Sequence, residues 1–592
     1  MAGLINKHPG KHYGLSVSLI AVMSGVLSLV GLSPVFPLNH LTEPYLMDAR
    51  TDGITIAWFT DVLPDTVYAL YGVSPQPGFA EEGVSFPLDS LNYGTADYRS
   101  RIYRVQYHNM VTIRGLQPHT EYHYRVVSVR DSIRRTGPVY RFRTAAIPGE
   151  AFAFLVMSDA QFRPESAATL RQAGSRHADL CIWPGDLINN ADVWSQWGNC
   201  PGGCPGDLPE DSLRFWNMMQ QTSSSPWIAK EDIRLAQYVP LYPAPGNHEW
   251  DDQSNMDDLQ NGIADDDLCT YIQMFRPLYP DQETEPGGRH WYSFDYGDVH
   301  FVSLSVSRWW QKLEDNSGDT TGYRDIRPGR YIWDPVHAGS PQYEWLKNDL
   351  ASTARKYIVV FHHHSVFGTG INIWPPFGPV SSGYDPDLIH QDLVPLYEKH
   401  RVSLVLTGHD HLLEHFEVNG IHYCQASALG NTYGIHIHDE PHRRQALFSS
   451  DSVRGFLLAG VEGDTMHCRF IQGGYEMPGA GSVLHKFYIL SRSAGTAAGK
   501  TADFLINAAG LSLYPNPANG SVQFRIRLPE STQINLSVFD MLGREVDCVF
   551  SGRLEAGEHG MKWQPFHLPG GIYLCRLRAG RKHIVRRFVL LN

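Results

Sequence analysis

Hydrophobic periodicity divides the chain into three rhythms. Between about residues 44 and 144, apolar and polar positions alternate in short runs separated by turn residues: 54–58 (ITIAW), 103–107 (YRVQY), 121–127 (EYHYRVV) and 139–143 (VYRFR). A period of two sends successive side chains to opposite faces, so these runs predict strands, and their spacing predicts a β-sandwich. From residue 151 to about 491, short unbroken apolar runs alternate with helical stretches such as 341–350 (PQYEWLKNDL), which predicts an α/β domain. Residues 491–510 (SRSAGTAAGKTADFLINAAG) are small and mostly polar and read as a linker. Residues 511–592 return to alternation, as in 520–527 (GSVQFRIR) and 534–539 (INLSVF), and predict a second, smaller β-sandwich.

The N-terminus adds a different signal. Lys7 and Lys11 precede an uncharged stretch, 15–32 (LSVSLIAVMSGVLSLVGL), and a Pro-bearing exit. Residues 1–37 therefore read as an export signal. At 18 residues the run also just reaches across a bilayer, so an uncleaved anchor is the alternative. No other segment approaches a span, and membrane contact is expected only there. With 49 Lys and Arg against 62 Asp and Glu, the net charge of −13 argues against nucleic-acid or anionic-membrane partners. An apolar fraction of 42% excludes a disordered chain. Of eight cysteines, only Cys200 and Cys204 are closely spaced. They read as a small disulfide or two free thiols, since a zinc knuckle needs a second pair.

Five apolar runs in the α/β region end in metal-type side chains. Run 154–157 leads to Asp159 and Gln161, run 180–183 to Gly185 and Asp186, and run 241–242 to Gly246, Asn247, His248 and Glu249. Run 357–361 leads to His362, His363 and His364, and run 403–407 to Gly408, His409, Asp410 and His411. Ends of neighbouring parallel strands open onto one crevice, and glycine beside three of them permits close approach. Carboxylate, amide and imidazole without thiolate suit Mn, Fe or Zn in a two-metal site better than a structural zinc. Each motif alone is compatible with a turn or a strand end; all five in order are not.

This order of motifs resembles the calcineurin-like metallophosphoesterase family. Residues 115–122 (GLQPHTEY) resemble a fibronectin type III loop that feeds a tyrosine-corner strand, and a domain of that kind resembles the purple acid phosphatase branch. Residues 292–301 (YSFDYGDVHF) and 342–346 (QYEWL) are similar to other segments of that branch. The resemblance implies a multi-domain chain: a fibronectin III-like β-sandwich over 43–146, an α/β/β/α metallophosphoesterase sandwich over 150–490, a linker over 491–510 and a small β-sandwich over 511–592.

It also implies two divalent or trivalent metal ions. Asp186 would bridge them, Asp159, Gln161 and His411 would hold the first, and Asn247, His363 and His409 the second. His362 is the alternative to His363, which is preferred because the family has His-x-Pro and Ser365 stands at the proline position. A metal-bridged hydroxide would attack a phosphate monoester, His248 would protonate the departing alkoxide, Glu249 would orient His248, and His364 is a further catalytic candidate. Gln161 replaces a histidine found in many members. Asn189 stands where purple members carry a tyrosinate, which implies a colourless relative. The alternatives are a phosphodiesterase or nucleotidase on the same metals, or a catalytically silent surface-binding protein.

The tail carries its own signature. Residues 514–517 (YPNP), 538–544 (VFDMLGR), 570–574 (GGIYL) and 586–591 (RRFVLL) resemble the C-terminal sorting domain of the type IX secretion system. That resemblance implies the secretion machinery of a Bacteroidetes-type Gram-negative bacterium as partner, removal of the tail, and a secreted or cell-surface product. The other expected partner is a small phosphorylated substrate.

Overall fold

The structure, a computed structural model, describes residues 38–88, 106–161, 164–188, 197, 215–220, 235–249, 269–279, 289–306, 336–367, 386–430, 432, 446–474, 479–491, 510–514, 518–519, 521–528, 531–540, 544–555, 557–565, 568–579 and 582–591. The export segment, Asn189, the Cys200 and Cys204 pair and most of the linker lie outside these residues. Residues 1–463 with 467–488 form one compact unit, and residues 464–466 with 489–592 a second.

Two antiparallel sheets build the N-terminal sandwich of the first unit. One orders Tyr45–Arg50, Gly53–Thr60, Tyr107–Ile113 and Val84–Pro87; the other orders Phe79–Glu82, Thr66–Gly72, Glu121–Arg130 and Ile133–Thr136, with Tyr140–Arg143 also paired to Glu121–Arg130. Alternation explains the inner face: Tyr122, Tyr124 and Val126 are buried, whereas Glu121 is exposed. The Tyr122 hydroxyl accepts the Gln117 N–H at 2.9 Å, closing the expected tyrosine corner. The run 103–107 meets the observed strand only at Tyr107; residues 103–105 lie outside the described ones. Buried aromatics seat this sandwich on the central domain. Tyr45 stacks on Trp216 at 4.1 Å and donates its hydroxyl to the Met274 carbonyl at 2.8 Å.

The central domain holds two mixed sheets. The first runs Leu241–Pro243, Leu180–Trp183, Phe152–Val156 and Gly455–Glu462, then two further strands. The second runs Tyr292–Tyr296, Val299–Ser303, Tyr357–Phe361, Leu404–Thr407, Ile421–Ala426, Leu413–Val418 and Phe448–Ser450. Phe154 of one meets Phe301 of the other edge to face at 5.3 Å. Strands with both faces covered need unbroken apolar runs, and Leu180–Trp183 and Tyr357–Phe361 are buried throughout. Helix Pro341–Ser352 starts with proline behind the Ser340 hydroxyl, which accepts the Tyr343 N–H at 3.3 Å. Its Leu346 and Leu350 join Leu393 and Val394 of helix Pro386–His400 over Val302, Ile358, Val360 and Val405 of the second sheet. With helix Pro164–Gly174 against Gly455–Glu462 of the first sheet, the α/β/β/α arrangement expected from the sequence is present. The five ligand-bearing strand ends, however, come from two sheets: three from the first and two from the second.

In the second unit, Gly510–Tyr514, Val522–Leu528 and Gly557–Trp563 form one sheet. Ala518–Asn519, Lys582–Leu591, Gly571–Ala579, Thr532–Phe539 and Glu545–Leu554 form the other, around a core containing Phe524, Leu536, Val538, Trp563 and Phe588.

Candidate metal centre

Three loops from the first sheet bring oxygen ligands together. Asp159 and Asp186 follow Phe152–Val156 and Leu180–Trp183, and both are buried. The loop holding Asn247 leaves Leu241–Pro243, whose last carbonyl, that of Pro243, accepts the hydroxyls of Tyr292 at 2.8 Å and Tyr271 at 3.0 Å. The loops touch at glycine. A Cβ on Gly185, at φ +89°, would come within 2.6 Å of His363 Nδ1, and one on Gly246 would strike Asp186 Oδ1. Five expected ligands stand in left-handed backbone: Asp159 (φ 60°), Gln161 (38°), Asp186 (54°), His409 (80°) and His411 (57°). Such conformations cost about 1–3 kcal/mol each and concentrate at functional sites.

The second sheet supplies imidazoles. His363 Nδ1 donates to the Pro184 carbonyl at 2.8 Å, which presents Nε2 to the site. That Nε2 lies 3.2 Å from Asp186 Oδ1 and 3.0 Å from Asn247 Oδ1. His409 Nδ1 is 3.0 Å from the same Asn247 oxygen and 3.2 Å from His363 Nε2. Its backbone N–H donates to both Asp159 oxygens, at 3.2 and 3.1 Å. His411 Nε2 lies 3.5 Å from Asp159 Oδ1. Gln161 turns its amide nitrogen, not its oxygen, to Asp186 Oδ2 at 3.0 Å, and a half-turn of the amide would exchange the two atoms. His362 uses Nδ1 on the His364 carbonyl at 2.8 Å and lies outside the cluster that His363, His364 and His409 form.

His248 is placed differently. Its N–H donates to Asp186 Oδ1 at 3.1 Å, while its ring Nε2 stands 3.8 Å from Asp186 Oδ2 with 24% of the side chain exposed. Glu249, expected to orient His248, is fully buried. It accepts the N–H groups of Asp186, Leu187 and Gly246, each at 2.7 Å, so its carboxylate braces the loop backbone. Burial, then the charge of Asp186, pushes Glu249 up to about 8. The sequence reading also missed Ser158, whose hydroxyl donates to the Gly185 carbonyl at 2.9 Å. Only the neighbouring Asp159 could have hinted at it.

The donor set fits metal ions. Donors bound at about 2.0–2.2 Å and near right angles sit about 3 Å apart, which is the spacing of Asn247 Oδ1, His363 Nε2 and His409 Nδ1. Among the described residues, two clusters of ligand atoms, Asp159–Asp186–His363 and His363–His364–His409, share His363. Burial, with the Asp186 charge added, raises the Asp159 carboxyl well above its usual range. Burial opposes ionisation of Asp186 too, but His363 and His248 overcome it and hold that carboxyl well below. His363 is pushed up to about 10 against its own burial by Asp186 and Asp159. The two neighbouring buried carboxyls are thus pushed in opposite directions, and cations held by this donor set would offset the burial of both.

Residues 152–413 match the family model described as calcineurin-like phosphoesterase. The central domain is similar to the calcineurin-like phosphoesterases. Residues 45–144 match the purple acid phosphatase N-terminal domain, and residues 512–591 the secretion system C-terminal sorting domain. An uncharacterized Mycobacterium tuberculosis protein is 26% identical over 398 residues, covering 65% of this chain and 63% of that protein. An Aspergillus ficuum acid phosphatase is 25% identical over 420 residues, covering 56% of this chain and 64% of that protein. The chain thus spans less than two-thirds of the length of these relatives. The phosphoesterase fold recurs in a purple acid phosphatase from yellow lupin seeds, with TM-score 0.52, 17% identity and coverage of 76% of this chain and 74% of that one. It recurs also in PhoD, with TM-score 0.53, 15% identity and coverage of 78% and 93%.

Proposed function

We propose that this phosphoesterase is an exported enzyme that uses two metal ions to hydrolyse phosphate monoesters. The observation that carries the reading is the meeting of His363 Nε2 and His409 Nδ1 at Asn247 Oδ1, each 3.0 Å away, beside the buried pair Asp159 and Asp186. Asp186 would bridge the ions, Asp159, Gln161 and His411 would hold one, and Asn247, His363 and His409 the other. Bound cations of this kind neutralise phosphate oxygens and bring the pKa of water down toward neutrality.

The remaining work falls to the chain. The partly exposed His248 ring, pinned through its own backbone to Asp186, would give a proton to the departing alkoxide oxygen, a contribution of about 10²–10⁴ in rate. His364, its ring 4.1 Å from that of His409, is the second candidate to touch substrate. Glu249 keeps the bridging loop in place. The export segment and the sorting tail supply the route out through the type IX machinery to the exterior or surface of a Bacteroidetes-type cell.

The test is turnover of glycerol phosphate, p-nitrophenyl phosphate and bis(p-nitrophenyl) phosphate by purified protein supplied with Zn, Mn or Fe. The monoesters should be favoured by roughly tenfold or more in kcat/KM. A preference for the diester would select the phosphodiesterase reading, and metal binding without turnover the silent one.

A further inference from the structure

A buried polar chain runs behind the two histidine loops. Asp410, between His409 and His411, accepts the Ser365 hydroxyl at 3.1 Å and the Gln425 amide N–H at 3.0 Å, and both bonds land on the same oxygen, Oδ2. Ser365 lies two residues beyond His363. Gln425 belongs to Ile421–Ala426, the strand paired with Leu404–Thr407 ahead of the His409 loop. The same Gln425 nitrogen reaches Glu414 Oε2 at 3.2 Å, and the other Glu414 oxygen accepts the Ser449 hydroxyl at 3.0 Å. Ser365, Glu414 and Gln425 are buried and Asp410 is half-buried, so these bonds are largely shielded from water.

The position of this chain gives it a task. The loops are already pinned once, where the Gly408 N–H donates to the His363 carbonyl at 2.8 Å. The Ser365–Asp410 bond pins them a second time, beyond the imidazoles. His363 and His409 therefore stand between two fastenings, with their ring nitrogens 3.2 Å apart. His409 and His411 flank Asp410 in left-handed backbone, which persists only where the surroundings over-determine it.

Resting on the two-metal reading above, we propose that Asp410 is a positioning residue: the Ser365–Asp410–Gln425 chain holds His363 and His409 at the separation required by the second ion. It touches neither ion nor substrate. Its effect is geometric, because both hydrogen bonds use one oxygen. Asparagine can offer an oxygen in the same place, whereas alanine cannot.

The test is zinc binding by the full chain stripped of metal, followed by competition with a chromogenic chelator. Wild type should take up two ions. Asp410→Ala should weaken one of the two by about 10–100-fold and leave the other within about threefold, as loss of an outer-shell partner does. Asp410→Asn should restore both to within about threefold of wild type. If Asp410→Ala does not fold, as judged by near-ultraviolet circular dichroism, Ser365→Ala carries the test. It removes one bond and should weaken the same single ion by about 3–10-fold. Two unchanged affinities in Asp410→Ala, or in Ser365→Ala where that variant stands in, would overturn the proposal. So would an Asp410→Asn as weak as the alanine variant, since charge and not position would then carry the effect. A wild type that binds no zinc would overturn the two-metal reading itself, an outcome distinct from either.

Discussion

Replacing Asp186 by asparagine should reduce phosphate release to below about 10⁻³ of wild type and cost the protein bound metal. The side chain joins the two halves of the site: Oδ1 lies 3.2 Å from His363 Nε2 and accepts the His248 N–H, while Oδ2 accepts from Gln161. Only a carboxylate offers an anionic oxygen to each side. Asparagine keeps the volume and one acceptor, but turns an N–H toward one of the two ligand groups. Because it is isosteric, the variant should stay folded, and circular dichroism separates loss of site from loss of fold. Metal analysis and phosphate release on the same sample check the expectation. Near-native activity with two ions bound would remove Asp186 from the bridging role.

Replacing His248 by alanine should act on chemistry and not on metal. The ring sits at the mouth of the site, 24% exposed, and its neighbour Asn247 is the proposed ligand. A general acid matters in proportion to the basicity of the leaving group. The alkoxide from glycerol phosphate departs poorly without a proton, whereas p-nitrophenolate is stable as the anion. His248→Ala should therefore lower kcat on glycerol phosphate by about 10²–10⁴ and on p-nitrophenyl phosphate much less. Metal content should remain that of wild type. Equal losses on the two substrates would assign His248 to phosphate positioning, and a lost ion would make it a ligand. His364 would then be the next candidate for the acid.

The strands that build the site were legible because each obeys a local rule. The run 180–183 is unbroken because Leu180–Trp183 is covered on both faces, and 121–127 alternates because Glu121–Arg130 has one face in the sandwich core. Asp159, Asp186, Asn247, His363 and His409 could be read as one cluster because parallel strands deliver their ends to a common edge. That the edge is shared by two sheets could not be read from the residue pattern and came only with the α/β/β/α fold that the resemblance implied, since register and sheet membership depend on partners far away in sequence. Hydrogen-bond partners were hidden for the same reason. Glu249, next to His248 in sequence, suggested a side chain that orients an imidazole, yet it braces three backbone N–H groups. Nothing in the sequence around Asp410, between two histidines, signals the bonds that reach it from Ser365 and Gln425. The left-handed backbone at Asp159, Asp186 and His409 leaves only a weak signal in residue type: none is glycine, although Asp and His enter that region more often than most side chains.

The central claim is that one set of side chains, Asp159, Gln161, Asp186, Asn247, His363, His409 and His411, holds two ions used for phosphate hydrolysis. Titrating the metal-stripped protein with Zn, Mn or Fe while following phosphate release from glycerol phosphate tests it most directly. Activity should rise with added metal and reach its plateau at two ions per chain. A plateau at one ion, or release that does not depend on added metal, would contradict it.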